Sequence, residues 1–349
     1  MKRTETKQVK IGRLTIGGQN KVLIQSMCKH KTSHIDEVVK EINECAALGA
    51  DLMRLSVLDE EDAQAFKEIK KQVKIPLIAD IHFNPDFAIM AIKNGVSKIR
   101  LNPGNINDEA KIKEIVELAK KKNVAIRVGA NSGSVNAEID RFDIPLSHKL
   151  VLSVKKHIDL LEKYDFHNIV VSLKASNVKE TIDAYRLASE LFSYPLHIGL
   201  TEAGPLDISL IRSTAALSPL LLEGIGDTIR ISITGRAQDE VIAAKRLLHD
   251  CGLYDNYPTL VSCPTCGRTQ VNVQELGKKV FKYLEDNNIN LHVACMGCVV
   301  NGPGEAKGAD IGIAGGKGQY VIFRKGEVIK KVPEAEAYDA LIEEINKLR

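Results

Sequence analysis

Two cysteine pairs are the residues best equipped for chemistry in this chain. Cys263-Pro-Thr-Cys266 and Cys295-Met-Gly-Cys298 each place two thiolates on one tight turn, close enough together to serve a single metal centre. The second pair runs on through Val-Val-Asn301-Gly-Pro-Gly-Glu305, where the Gly-Pro-Gly turn brings a carboxylate back towards the sulfurs. Four thiolates suit structural zinc, although the 28 residues between the pairs exceed the spacing of the usual ribbon. Three thiolates with Glu305 suit an iron-sulfur cluster, which leaves one iron for a weaker oxygen ligand or a substrate. Unligated buried thiols are a third possibility. Spacing alone leaves all three open.

A second set of residues is cationic. Arg54, Arg100, Arg127, Lys174 and Arg230 each stand in a short run of apolar, strand-forming residues, for example Ile-Arg-Leu-Asn and Ser-Leu-Lys-Ala-Ser. A cation buried without a partner is costly, so such residues need anions. Period-two alternation sends them to one face, where they can converge on one polyanion, and guanidinium forks match phosphate oxygens two at a time. That pattern favours a diphosphate ligand; the competing reading pairs each arginine with a nearby acid. Acids are fewer at this level. Asp80 precedes His82, and Glu202 lies just past its strand in Leu-Thr-Glu-Ala-Gly. Glu202 is the expected general acid, its carboxyl pKa raised by partial burial, with His82 as the alternative donor.

These residues require elements that bring strand ends together. Eight short apolar runs read as strands: Val22 to Ser26, Leu52 to Val57, Pro76 to Ile81, Lys98 to Leu101, Ala125 to Gly129, Asn168 to Leu173, Leu196 to Leu200 and Thr228 to Ile233. Between them lie amphipathic helical patterns such as Ile35 to Leu48, with Val38, Val39, Ile42 and Ala46 on one face. Eight strand-helix units in about 230 residues predict a (β/α)8 TIM barrel with its site at the carboxyl ends of the strands. An open doubly wound sheet would more often carry a glycine-rich fingerprint after its first strand, and none is present. Residues 8 to 20 read as a hairpin ahead of the barrel, and Gly252 to Tyr257 as a linker. A smaller α/β domain is then expected, so that residues 1–250 form the substrate-binding TIM-barrel domain and 251–349 the cysteine-bearing domain, the [4Fe-4S] cluster-binding domain on the iron-sulfur reading.

Composition narrows the alternatives. A net charge of +3 over 349 residues is too balanced for a general nucleic-acid surface, and 12 basic against 12 acidic residues leave the cysteine-bearing part neutral. Aromatics at 5 % and no tryptophan weaken any case for stacked bases or sugars. The opening Met-Lys-Arg-Thr-Glu-Thr-Lys lacks the apolar core of a signal peptide, and no run of 18 apolar residues occurs, so a cytoplasmic protein without membrane contact is expected. The eighth barrel helix, near Asp239 to His249, runs antiparallel to the strands and ends at the face opposite the arginines. The simplest way for the cysteine domain to meet a ligand held by those arginines is through a partner subunit, which predicts a head-to-tail homodimer closed by a two-fold axis.

With these residues in view, the chain resembles the bacterial 4-hydroxy-3-methylbut-2-enyl diphosphate synthase family over essentially its whole length. The resemblance is most specific in Cys298-Val-Val-Asn-Gly-Pro-Gly-Glu305, Cys263-Pro-Thr-Cys266 and Gly199-Leu-Thr-Glu-Ala-Gly204. It implies a [4Fe-4S] cluster on Cys263, Cys266, Cys298 and Glu305, with Cys295 outside the ligand set. It also implies reductive ring opening and dehydroxylation of 2-C-methyl-D-erythritol 2,4-cyclodiphosphate, with Glu202 protonating the departing oxygen. Arg54, Arg100, Arg127, Asn131, Lys174, Thr201, Arg230, Ser232 and Asn301 would bind the substrate, and ferredoxin or flavodoxin would deliver electrons. The runner-up is a non-redox phosphosugar- or pterin-binding barrel with a structural zinc module. A zinc ribbon for protein or nucleic-acid contact is a third reading.

Overall fold

The computed structural model describes residues 4–81, 84–101, 106, 108–135, 137–298 and 308–349. The chain divides into two compact units, meeting in sequence between Leu253 and Tyr254. Each is described by itself.

The first unit opens with an antiparallel hairpin, β1 (Val9–Ile11) and β2 (Leu14–Ile16). Eight strands follow: β3 (Leu23–Met27), β4 (Leu52–Val57), β5 (Leu77–Ile81), β6 (Lys98–Arg100), β7 (Ala125–Asn131), β8 (Ile169–Lys174), β9 (His197–Ile198) and β10 (Thr228–Ile229). All pair in parallel, in the order β8-β7-β6-β5-β4-β3-β10-β9. The two ends of this sheet meet where Val171 bridges to Leu196 and its N–H donates to Pro195 O at 2.9 Å. This closes the expected (β/α)8 barrel.

Helices between the strands follow the 3.6-residue period. In Ile35–Leu48, Val38, Ile42 and Cys45 are buried on the barrel side, and Gly49 in a left-handed conformation ends the helix. The Asp59, Asn84, Asp108 and Asn177 side chains cap the helices that follow β4, β5, β6 and β8.

Strands β9 and β10 are shorter than the sequence suggests. Beyond Arg230, whose N–H still donates to Ile198 O at 3.1 Å, backbone groups turn to other partners: the carbonyl of Ser232 accepts from the Ser209 hydroxyl and that of Ile233 from Lys29. The barrel is apolar at one end and charged at the other. Val9, Ile11 and Ile16 of the hairpin pack on Leu23, Leu52, Ile78, Ala125 and Val170, all at or next to strand starts, so the hairpin plugs the N-terminal end.

The second unit carries a five-stranded mixed sheet, β11 (Thr259–Ser262), β12 (His292–Met296), β13 (Ile311–Gly316), β14 (Gln319–Arg324) and β15 (Glu327–Pro333), in that order. The first three strands are parallel, and the last two add an antiparallel meander. Helices Val273–Asp286 and Ala337–Asn346 cover one face, burying Val280, Leu284, Leu341 and Ile345 with Val293, Cys295, Ile311 and Ile313. The expected linker is partly structured. Tyr257 is buried, edge-on to the rings of Tyr254 and Phe281, and so belongs to this unit. Among the described residues no helix is long and apolar enough to cross a membrane.

Candidate functional site

Alternation along the barrel strands sets the site in layers. Above the apolar plug lies a polar layer of Gln25, Lys98, His197 and Thr228, all buried. Above that stand Arg54 and Arg127 in the middle of β4 and β7, Asp80, Arg100 and Lys174 at or next to the carboxyl ends of β5, β6 and β8, and Arg230 just past β10. Register explains their proximity: Asp80 is the Cα partner of Arg100, and Arg100 of Arg127.

The acids are too few for the cations. Asp80 is shared, with Arg100 Nη1 donating to Oδ1 at 3.1 Å and Arg54 Nε 3.6 Å from Oδ2. Glu240, from the helix after β10, accepts from Arg230 Nε at 3.1 Å and Nη2 at 2.9 Å, and also from Lys29 and Ser26. The pairing alternative therefore holds for Arg230, and in part for Arg54 and Arg100. Among the described residues it fails for Arg127, whose buried Nε and Nη1 have no hydrogen-bond partner there. Burial, followed by repulsion from Arg54 and Arg100, pushes the Arg127 pKa well below its usual value. Burial likewise lowers Arg54 to about 10 against the pull of Asp80, and lowers Lys98 and Lys174 well below the ordinary lysine range. Mutual repulsion of this kind, in a water-poor barrel, is relieved by an anion of more than one charge.

The sequence reading missed two members of this assembly. Lys98 is fully buried, and its Nζ donates to Gln25 Oε1 at 3.1 Å. The alternation Lys98-Ile99-Arg100 was the signal that could have found it. His197 lies below Lys174, with Nε2 3.4 Å from Lys174 Nζ and Nδ1 2.8 Å from Thr228 Oγ1. Lysine only donates, so Nε2 accepts and Nδ1 carries the proton. Burial, then the charge of Lys174, keep this imidazole neutral. Gly199 allows the approach of Lys174, since a Cβ there would stand 2.9 Å from Nζ.

Around the rim, Asn131 ends β7, Thr201 and Ser232 are half-buried, and the Thr201 N–H donates to Ala175 O at 3.2 Å. Glu202 differs from expectation. Its residue is exposed rather than part-buried, because it caps a turn whose backbone lies in the left-handed region at φ 53°. His82, Asn301 and Glu305 lie outside the described residues.

In the second unit Cys263, Cys266 and Cys298 line one cavity of about 170 Å³ together with Arg268, Thr269, Met296 and Gly297. A liquid water occupies about 30 Å³, so this space takes a group larger than a single ion. Cys295 is not part of it. On β12, Ala294 and Met296 face one side, while Cys295 faces the other, fully buried against the helices, and burial raises its thiol to about 12. The four late cysteines thus do not converge, which removes the tetrahedral zinc arrangement. Among the described residues no three His, Cys, Asp or Glu side chains are grouped as for one ion.

The cavity suits thiolates. Gly297 N–H donates to Cys263 Sγ at 3.2 Å, and the Arg268 N–H, with its guanidinium and Thr269, draws the Cys266 pKa down. A Cβ on Gly297 would stand 2.9 Å from Thr269 and 3.1 Å from Cys263 Sγ, so only glycine leaves that amide free to meet the sulfur. Backbone N–H groups aimed at sulfur are the usual support of cysteine-held clusters.

A (β/α)8 barrel with buried cations, and a second unit with a three-thiol cavity, set the class of fold and site, which the relatives of the chain make an oxidoreductase. Comparison with known proteins identifies the family. Residues 6–245 match the GcpE TIM-barrel domain and residues 259–347 the GcpE protein C-terminal domain, and the chain belongs to the GcpE family. It is 50 % identical over 346 residues to the 4-hydroxy-3-methylbut-2-en-1-yl diphosphate synthase (flavodoxin) of Malacoplasma penetrans, covering 99 % of this chain and 94 % of that one. The protein of the same name from Clostridium perfringens is 47 % identical, with full coverage of both chains. Among solved structures, the dihydropteroate synthase of Stenotrophomonas maltophilia aligns with a TM-score of 0.53 at 14 % identity, over 71 % of this chain and 98 % of that one. The Yersinia pestis dihydropteroate synthase gives 0.51 at 12 %, over 70 % and 97 %. At such identities the likeness concerns the barrel fold, not a pterin ligand.

Proposed function

We propose that the chain catalyses the two-electron reductive ring opening and dehydroxylation of 2-C-methyl-D-erythritol 2,4-cyclodiphosphate to 4-hydroxy-3-methylbut-2-enyl diphosphate. Two electrons and two protons enter, and one water leaves. The observation that carries this reading is the buried group of cations in the barrel, with Arg127 Nε and Nη1 buried and unbonded among the described residues.

Arg127, Lys174, Arg54 and Arg100 hold the diphosphate oxygens, with Asp80 orienting the last two. Arg230, fixed by Glu240, presents its charge from just past β10, two strands from Arg54 on one side and from Lys174 on the other. Asn131, Thr201, Ser232 and Asn301 add hydrogen bonds to the hydroxyls. Glu202 gives its proton to the oxygen that leaves as water, which lowers the cost of breaking the carbon-oxygen bond.

Cys263, Cys266 and Cys298 would hold a [4Fe-4S] cluster with Glu305 as fourth ligand, and such a cluster supplies single electrons beside an exchangeable coordination position. Flavodoxin, named for the relatives, is the proposed donor. Residues 1–250 are assigned to substrate and 251–349 to the cluster. A head-to-tail homodimer in the cytoplasm, each cluster domain serving the other chain's barrel, completes the proposal.

Anaerobic purification with iron, sulfide and zinc analysis, followed by turnover of the cyclodiphosphate with reduced flavodoxin, tests it. About four irons per chain, the composition of the cluster, and product formation are expected. One zinc and no turnover would overturn it. Glu202→Gln should bind substrate normally and turn over at least ~100-fold more slowly, the lower range for general acid catalysis. Full activity of a chain held monomeric by dilution would remove the dimer.

A further inference from the structure

Arg212 carries no signal in the sequence beyond its place in the helix Leu206–Leu222, yet it reaches two rim loops at once. Its Nη1 donates to Glu202 O at 3.0 Å and to Ala203 O at 3.3 Å, while Nη2 donates to Ser176 O. Ser176 lies two residues past Lys174, and Glu202 lies in the turn after β9. One guanidinium therefore ties the loop that follows the diphosphate lysine to the loop that carries the acid.

Other bonds leave little freedom around it. Thr201 N–H donates to Ala175 O at 3.2 Å and Thr234 N–H to Gly204 O at 3.0 Å, so Arg212 supplies the bonds for the two carbonyls in between. Those carbonyls are the Glu202 residue's own and the one after it, and the Glu202 φ of 53° is one that L side chains rarely adopt. Because the Glu202 side chain is exposed, packing does not set its position; the backbone does.

We infer that Arg212 is a positioning residue for the reaction: its grip on the Glu202, Ala203 and Ser176 carbonyls holds the Glu202 backbone left-handed and so fixes where the carboxyl group meets the substrate. This rests on the role of Glu202 proposed above. The planar fork matters, because a lysine ammonium keeps the charge but cannot spread donors to three carbonyls in fixed directions.

Misplacing a catalytic group by about 1 Å costs up to ~100-fold, so Arg212→Lys should lower kcat by roughly 10- to 100-fold. KM should stay within about threefold and the iron content unchanged, since Arg212 grips backbone carbonyls and is itself neither a proposed substrate contact nor a cluster ligand. In a Glu202→Gln background the same change should have no further effect on kcat, because the two residues act as one unit. An Arg212→Lys loss that appears equally in both backgrounds, falls on KM, or is absent overturns the inference while leaving Glu202 in place. Normal turnover of Glu202→Gln alone removes the acid itself, and the inference with it. If Arg212→Lys does not accumulate folded, Arg212→Ala assayed with and without millimolar guanidinium replaces it: recovery of kcat in the Glu202 background alone is expected, and recovery in neither or both overturns the inference.

Discussion

At the barrel rim the cations Arg54, Arg100, Arg127 and Lys174 stand on strands, buried; in the second unit the thiols stand on the turns that follow β11 and β12, half-buried or exposed around a small cavity. The physical demands differ. Recognition of a polyanion by charge requires cations kept close together against their own repulsion, and only a closed sheet with a shared counter-ion such as Asp80 can do that. Metal-thiolate bonds are strong and directional, so the bound group itself can order its ligands, and the protein need only supply N–H donors such as that of Gly297.

The sharpest test of the contrast lies in the cysteines. Cys266→Ala should abolish stable iron binding, whereas Cys295→Ala should keep full iron and cost only about 1 kcal/mol in stability for lost core packing, near the mean for point mutants. Iron analysis with denaturant unfolding reads both, and loss of iron from the Cys295 variant would return that thiol to the ligand set.

A smaller but still large effect is expected at Asp80. Asp80→Asn leaves Arg54 and Arg100 buried without their carboxylate and should destabilise the barrel by about 3–5 kcal/mol, the usual cost of breaking a buried pair. A change below about 1 kcal/mol, the range of exposed pairs, would mean that the layer is not held in this way.

The smallest effect is a slope. Burial lowers the Lys98 pKa in the folded state, so between that depressed value and the unfolded value near 10.4 the unfolded chain binds more protons. Stability contributed by this group therefore rises with pH across that window and is lost as pH falls through it. Lys98→Met should be more stable than the parent below the window and should flatten the dependence of unfolding free energy on pH by up to about 1.4 kcal/mol per pH unit. Calorimetry at several pH values reads the slope; an unchanged slope would show that Lys98 stays charged in the folded barrel.

Much of this was written in the linear chain. Eight apolar runs alternating with helices that each show one apolar stripe point to a parallel α/β fold, and their number favours a barrel. Period two alone puts Arg54, Arg100, Arg127 and Lys174 on the inner face, and the spacing of Cys263 and Cys266 alone marks a thiolate site. What alternation cannot supply is the neighbour across the sheet. That Asp80 serves two arginines follows from register, that Glu240 neutralises Arg230 follows from a helix packed 10 residues later, and that Arg127 Nε and Nη1 stay unbonded among the described residues follows from what both leave unspent. Cys295 and Cys298 look alike in sequence, yet β12 turns the first into the apolar core while the second lies past its end. Arg212 is the extreme case: three carbonyls that mean nothing in sequence become one site only when two loops are brought side by side. Sequence period fixes the face a residue takes, because that depends on the local backbone; its partners depend on distances between segments far apart in the chain, which closure of the barrel alone decides.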